Sequence, residues 1–276
     1  MDVLIYLKNV FVKNATSLPC INAKTRFWLS VLLFLNILYV YANGHHMFTH
    51  LDWISNRTLN TIAFGVSAGG FLYILRPWLV NTLNFSRGRL KRSVVYASLT
   101  YFSCYILYWL YNSLTKWLFL PLGGDVQKIR QIAKIDWWTY GGIVVKYIFT
   151  LMNEELIIFS VFLIALSFMQ PKVLNTLVAI FTALLVFGSM HVSSWNWATV
   201  PAVMFNKLPA CLLLVFFKDL KPLYLAHLFN NCFVSLVLVE GMTGNFRNWV
   251  FFAFLVPLLV FMGWHTVRDC QNNNRQ

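Results

Sequence analysis

The chain has 276 residues, of which 59% are hydrophobic and only 11% are charged, and its mean hydropathy is +0.63. A soluble domain carries about 25% charged residues, so this composition excludes an ordinary water-soluble globular protein and indicates an integral membrane protein. The net charge of +13 does not point to nucleic acid, because the cations fall in connections between apolar runs. Membrane lipids with anionic headgroups are the expected partner there.

The apolar runs predict an all-α, polytopic membrane protein with about eight transmembrane helices around an intramembrane polar cavity. Residues 1–26 are expected to form an N-terminal interfacial segment, residues 27–268 a single transmembrane domain, and residues 269–276 a polar C-terminal tail. The predicted spans lie at residues 27–43, 59–80, 93–119, 138–168, 173–190, 200–217, 222–240 and 248–265.

The orientation of the spans follows from basic residues in the short connections. Three basic connections fall on one side if the spans alternate, which predicts that this side is cytoplasmic and that both termini lie there. A fourth basic connection, around Lys128, falls on the opposite side. The three connections carry Lys8, Lys13, Lys24, Arg26, Arg87, Arg89, Lys91, Arg92, Lys218 and Lys221.

Two adjacent carboxylates, Glu154 and Glu155, lie in the middle of the fourth apolar run, in YIFTLMNEELIIFSVF. An ionisable residue near the bilayer centre costs roughly 2.5 to 3.5 kcal/mol on insertion scales, so a polar cavity is the expected location of this pair. Adjacent residues of a helix project about 100° apart. The two carboxylates are therefore expected to have different roles.

Two histidines, His191 and His227, also lie within apolar runs, and Asn231 follows His227 by one helical turn on the same face. A carboxylate in an apolar pocket suits a general base that takes a proton from water. Histidine and asparagine side chains can donate hydrogen bonds to a developing oxyanion. The set predicts hydrolytic chemistry, although each histidine alone is typical of an interhelical hydrogen bond and the glutamates alone of an ion or proton site.

The segments NEELIIF, FGSMH and HLFNN resemble the three motifs of the CAAX protease and bacteriocin-processing family, also called type II CAAX endopeptidases or Abi proteins. Those motifs are Glu-Glu-x-x-x-Arg, Phe-x-x-x-His and His-x-x-x-Asn/Asp. Their order and spacing agree with the family, and Phe187 stands where the second motif requires it. The resemblance covers roughly residues 140–240.

The resemblance implies an intramembrane, glutamate-type endopeptidase that cuts a peptide or lipidated protein substrate near its terminus. By position in the motifs, Glu154 would activate water together with His191, and His227 and Asn231 would form the oxyanion hole. Glu155 would support the site. No cofactor is expected, and zinc held by Glu154, His191 and His227 is the alternative.

One position departs from the family pattern, because Phe159 stands where the motif has arginine. This departure leaves Glu155 either protonated or paired elsewhere, with Lys146 or with a residue of another helix. It also keeps open a non-catalytic bacteriocin-immunity or peptide-binding protein that uses the same cavity. An ion-coupled transporter is disfavoured because paired broken helices are lacking, and the short chain with short connections favours a bacterial cell membrane.

Simple alternation of the spans places His191 near the outer end of the fifth span and His227 near the inner end of the seventh. We therefore expect a short or re-entrant segment around HVSSWNWATVP, where polar residues and Pro201 interrupt the helical pattern. With that segment, Glu154, His191, His227 and Asn231 are expected to converge within about 10 Å of one another.

Overall fold

A computed structural model describes residues 3–18, 20–44, 56–80, 87–117, 134–169, 172–191 and 200–242, together with 255–256, 259–260 and 264. Within these ranges the chain is helical and contains no β-strand, which confirms the predicted all-α class. The helices are α1 (Val3–Thr16), α2 (Ala23–Gly44), α3 (Asn56–Leu79), α4 (Arg87–Trp117), α5 (Trp137–Ser167), α6 (Val173–Met190), α7 (Val200–Phe217) and α8 (Lys221–Ser235), the last followed by a 3-10 turn (Leu236–Leu238).

Six of these helices, α2 to α7, are long and apolar enough to cross a membrane, which is consistent with an integral membrane protein. They match the first six predicted spans in order. The largest difference is at α4, which begins at Arg87 rather than at residue 93, because hydropathy locates the apolar part of a helix and not its basic first turns. The eighth predicted span, 248–265, lies largely outside the described residues.

The seventh predicted span, 222–240, is shorter in the structure. Helix α8 has 15 residues, a length of about 22 Å at 1.5 Å per residue, whereas about 20 residues are needed to cross the hydrocarbon core. The helix gives way to a 3-10 turn, after which Val239 forms an isolated parallel bridge with Ile135. Gly241 follows with a φ of 77°, a left-handed conformation that favours glycine, and the chain direction changes there.

Helix α5 occupies the interior of the bundle and packs against α3, α6 and α8. Its start is fixed by Asp136, whose carboxylate accepts a 2.7 Å hydrogen bond from the backbone N–H of Thr139. Hydrogen bonds from Thr139 hold the pKa of the Asp136 carboxyl below its usual value. Further along the helix, Phe159 is 8% exposed and belongs to the main apolar core.

One edge of the bundle gathers the basic ends of the helices. Helix α2 begins there and α5 ends there, and Arg26 Nη1 of α2 donates to Ser167 Oγ of α5 at 3.5 Å. The first turns of α4 lie at the same edge, where Ser93 Oγ donates to Asp219 Oδ2 at 3.3 Å. Helix α1 packs against α6 and α7 at the same edge. We call it the basic edge, defined by Lys13, Lys24, Arg26, Arg76, Lys172, Lys218 and Lys221.

Three polar side chains form a closed ring of hydrogen bonds that joins α2, α3 and α5. Asn36 Nδ2 donates to Ser67 Oγ at 2.6 Å, Ser67 Oγ donates to Asn153 Oδ1 at 2.7 Å, and Asn153 Nδ2 donates to Asn36 Oδ1 at 2.9 Å. Both asparagines are buried. Because an unsatisfied polar group is costly in hydrocarbon, this Asn–Ser–Asn ring fixes the rotation of α5 directly beside Glu154.

Replacing Ser67 by alanine is expected to lower the free energy of unfolding by about 1 to 2 kcal/mol, because two hydrogen bonds of the Asn–Ser–Asn ring are lost together. The measurement is thermal or denaturant unfolding of the purified protein in detergent. Ser98→Ala is the matched control, since the buried Ser98 hydroxyl donates only within its own helix, to Val94 O at 2.9 Å. Equal losses in the two variants would show that the ring adds nothing to the packing.

Candidate functional site

The adjacent carboxylates of α5 lie in different surroundings, as their spacing predicts. The Glu155 side chain is completely buried, whereas 23% of the Glu154 side chain is exposed. Glu155 faces α7 and α8, which supply its polar partners. Glu154 is therefore the carboxylate that an incoming molecule can contact.

Glu155 forms a buried ion pair with Lys207 of α7. The Lys207 side chain is only 7% exposed, and its Nζ also lies 5.6 Å from the ring centroid of Phe187. Phe159 stands where the motif has arginine, and the cation beside Glu155 comes instead from another helix, α7. Of the alternatives that the sequence leaves open for Glu155, the structure shows pairing across helices.

His227 of α8 bridges the two glutamates. Its Nδ1 lies 2.7 Å from Glu155 Oε1, and its Nε2 lies 3.8 Å from Glu154 Oε2. Lys207 Nζ lies 3.1 Å from the same Nδ1. A carboxylate oxygen can only accept, so Nδ1, 2.7 Å from Glu155 Oε1, donates its N–H to that oxygen, and the Lys207 ammonium donates to the same oxygen.

This hydrogen bond leaves His227 Nε2 directed toward Glu154. A separation of 3.8 Å is too long for a direct hydrogen bond. It is short enough for one water molecule to contact both groups. We call Glu154, Glu155, Lys207 and His227 the Glu–His–Lys cluster.

The other two predicted site residues lie at the margin of this cluster. Asn231 shares a helix face with His227, and its Nδ2 donates to the backbone oxygen of His227 at 3.1 Å. His191 is the C-cap of α6, where its Nδ1 lies 2.9 Å from Phe187 O and its ring packs edge-on against the Phe187 ring at 4.7 Å. Phe187 thus connects His191 to Lys207.

Glu154 Oε2 lies 3.8 Å from His227 Nε2, and Asn231 Nδ2 lies 3.1 Å from the backbone oxygen of His227, so two of the expected pairs are close. The convergence of all four residues, with His191 among them, stays a prediction. Residues 192–199 of the segment HVSSWNWATVP lie outside the described part of the chain, so the expected re-entrant segment stays a prediction. Pro201 lies within α7 (Val200–Phe217), so the backbone is helical on both sides of it among the described residues.

The zinc alternative requires Glu154, His191 and His227 around one ion. In the described part of the chain, no three His, Cys, Asp or Glu side chains are grouped so that they could hold a metal. The ammonium group of Lys207 beside His227 Nδ1 also places a positive charge that repels a divalent cation.

Lys207 is the site residue that sequence reasoning missed. It is the only charged residue in the α7 sequence VPAVMFNKLPACLLLVFF. An ionisable residue inside a span needs a partner of opposite charge, and Glu155 was the acid for which the sequence had named no certain partner. The signal for this pair was therefore present in the sequence.

The described part of the chain has six helices long and apolar enough to cross a membrane and a buried Glu–His–Lys cluster, which characterise it as a membrane protein with an ionisable site inside its helical bundle. No family model, no curated protein and no solved structure matches it. What this protein does therefore depends on the chemistry that the Glu–His–Lys cluster can perform.

Proposed function

We propose that this protein is an intramembrane endopeptidase of the CAAX protease and bacteriocin-processing type. It hydrolyses a peptide bond near the terminus of a peptide or lipidated protein. It acts in a bacterial cell membrane with the basic edge toward the cytoplasm, because basic residues are retained on that side. The observation that carries the proposal is the 3.8 Å approach of His227 Nε2 to Glu154, with His227 held in place by Glu155.

The charges of the cluster support a proton-transfer role. Glu155 and Lys207 cancel one another, so the remaining proton belongs to Glu154 and His227 together. The proposed mechanism uses the arrangement in which this proton is on His227 Nε2 and Glu154 is ionised. In that state Glu154 can accept a proton while His227 Nε2–H can donate a hydrogen bond.

The reaction then follows in two steps. Glu154 takes a proton from a water held in front of it, and the hydroxide attacks the carbonyl carbon of the scissile peptide bond. His227 Nε2–H and the Asn231 amide donate to the oxyanion that forms. When the C–N bond breaks, Glu154 returns its proton to the leaving amine, which yields a carboxylic acid and a free amine.

His191 assists in holding the attacking water, as the motif resemblance implies. Two contacts support this role: the His191 ring packs on the Phe187 ring at 4.7 Å, and Lys207 Nζ lies 5.6 Å from the same Phe187 ring. The non-catalytic alternative rested on Phe159. Lys207 now supplies the missing cation, and that argument for a peptide receptor loses its force.

Hydrolysis in heavy-oxygen water tests the proposal. The purified protein in lipid nanodiscs is incubated with a peptide library, half of whose members carry a prenyl group on cysteine, and the products are read by mass spectrometry. We expect a shortened peptide whose new carboxyl group carries heavy oxygen from the solvent. A peptide that binds but is never cut would make the cluster a receptor site and overturn the proposal.

A further inference from the structure

A surface groove of about 500 Å³ lies between α2 and α3, away from the Glu–His–Lys cluster. Its lining includes Lys24, Thr25, Trp28, Gly70, Tyr73 and Pro77. We call it the α2–α3 groove. It opens at the basic edge, because Lys24 stands at the start of α2 and Pro77 near the end of α3.

A glycine shapes the floor of the groove. A Cβ atom at Gly70 would lie 3.1 Å from Leu32 Cδ2, so the absence of a side chain there lets α2 and α3 approach closely. On the rim, Tyr73 is 80% exposed and Trp28 is 49% exposed. Tyrosine and tryptophan with exposed rings are typical of the region where lipid headgroups meet acyl chains.

Lys24 provides the charge at the mouth of the groove. Among the described residues it forms no ion pair, whereas its neighbour Arg26 is engaged by Ser167 and by the ring of Phe168 at 4.5 Å. Asp219, which also lies at the basic edge, has its Oδ2 3.5 Å from Lys221 Nζ. Among the described residues that line the groove, Lys24 is a cation and none is a carboxylate, so the mouth attracts a negative charge.

We propose that the α2–α3 groove is a binding site for an anionic phospholipid, with the headgroup phosphate at Lys24 and Thr25 and an acyl chain along Trp28 and Tyr73. The cation at the mouth and the apolar walls inside the groove fit a negatively charged amphiphile. A soluble anion would leave the apolar walls without a contact and is not the preferred ligand. A zwitterionic lipid is disfavoured because its quaternary ammonium would face the cations of the basic edge.

The test counts the lipids that stay bound. The full-length protein is equilibrated in detergent with equal amounts of phosphatidylglycerol and phosphatidylcholine, and retained lipids are counted by native mass spectrometry. We expect phosphatidylglycerol to be retained preferentially, and Lys24→Gln to weaken its retention about fivefold, the usual effect of one basic residue near an anionic headgroup. Lys172→Gln, at the basic edge but outside the groove, should leave retention unchanged.

A second variant tests the apolar wall. Tyr73→Ala should reduce phosphatidylglycerol retention without affecting folding, because the Tyr73 side chain is exposed. Inorganic phosphate should not displace the bound lipid, since it lacks an acyl chain. Equal retention of both lipids by the wild type, unchanged retention in Lys24→Gln, or displacement by inorganic phosphate would each overturn the proposal.

Discussion

Replacing Glu154 by glutamine is expected to lower the rate of peptide cleavage by at least ~10²-fold, the usual contribution of a general base. Glutamine keeps the size of the side chain and most of its hydrogen bonding, but it cannot accept the proton of the attacking water. The fold should survive, because Glu154 is partly exposed and takes no part in the Lys207 ion pair. Cleavage is followed by mass spectrometry on monodisperse protein.

Glu240→Gln is the matched control for this experiment. Glu240 is exposed and follows α8 beside the Ile135 bridge, so the same chemical change there should leave cleavage unaffected. Full activity of Glu154→Gln, with the same product as the wild type, would remove Glu154 from the mechanism. Equal losses in both variants would point to a general effect of the substitution.

Replacing Lys207 by methionine is expected to destabilise the protein by about 3 to 5 kcal/mol. The Glu–His–Lys cluster would then hold two carboxylates, Glu154 and Glu155, with only His227 able to carry a positive charge beside them, and a buried charge left uncompensated costs this much. Methionine fills a similar volume, so the loss reports the charge rather than a cavity. The measurement is denaturant unfolding in detergent, with Lys172→Met as the control because Lys172 is exposed.

The double variant Glu155→Gln with Lys207→Met separates a structural role from a positioning role. It should regain most of the stability lost in Lys207→Met, because no charge is left unpaired. Its cleavage rate should nevertheless stay low, since a neutral amide accepts a weaker hydrogen bond from His227 Nδ1–H than the Glu155 carboxylate does and holds the ring less well. A double variant as unstable as the single one would mean that Lys207 acts mainly through packing, and a double variant with wild-type cleavage would refute the positioning role.

Much of the helical fold could be predicted because hydropathy depends on local sequence. The apolar runs place α2 to α7 in order and with small errors at their ends. The error at α8 has a local cause, since the apolar residues continue through Leu236–Leu238 while the backbone changes to a 3-10 turn. Hydropathy counts such residues and does not detect the hydrogen bonds that end a helix.

The candidate site was predicted less completely because it depends on which faces of the helices pack against one another. The motifs predict that Glu154, His191, His227 and Asn231 converge and that Glu155 supports them. In the structure His227 lies beside both glutamates and Asn231 bonds to the His227 backbone, whereas His191 contacts Phe187. The choice of Lys207 over Lys146 as the partner of Glu155 depends on the rotation of α5 and α7 about their axes. Single-sequence periodicity cannot give that rotation when a helix is apolar on every side.

The Asn–Ser–Asn ring can close only after α5 has been synthesised. Asn36 is hydrogen-bonded to Asn153, which follows it by 117 residues. At about 5–20 residues per second, a nascent chain needs roughly 6 to 23 s to supply that partner. During this interval Asn36 and Ser67 lack the hydrogen bonds that Asn153 later provides. A chain that is arrested before α5 therefore exposes these two polar side chains to the quality-control machinery of the membrane.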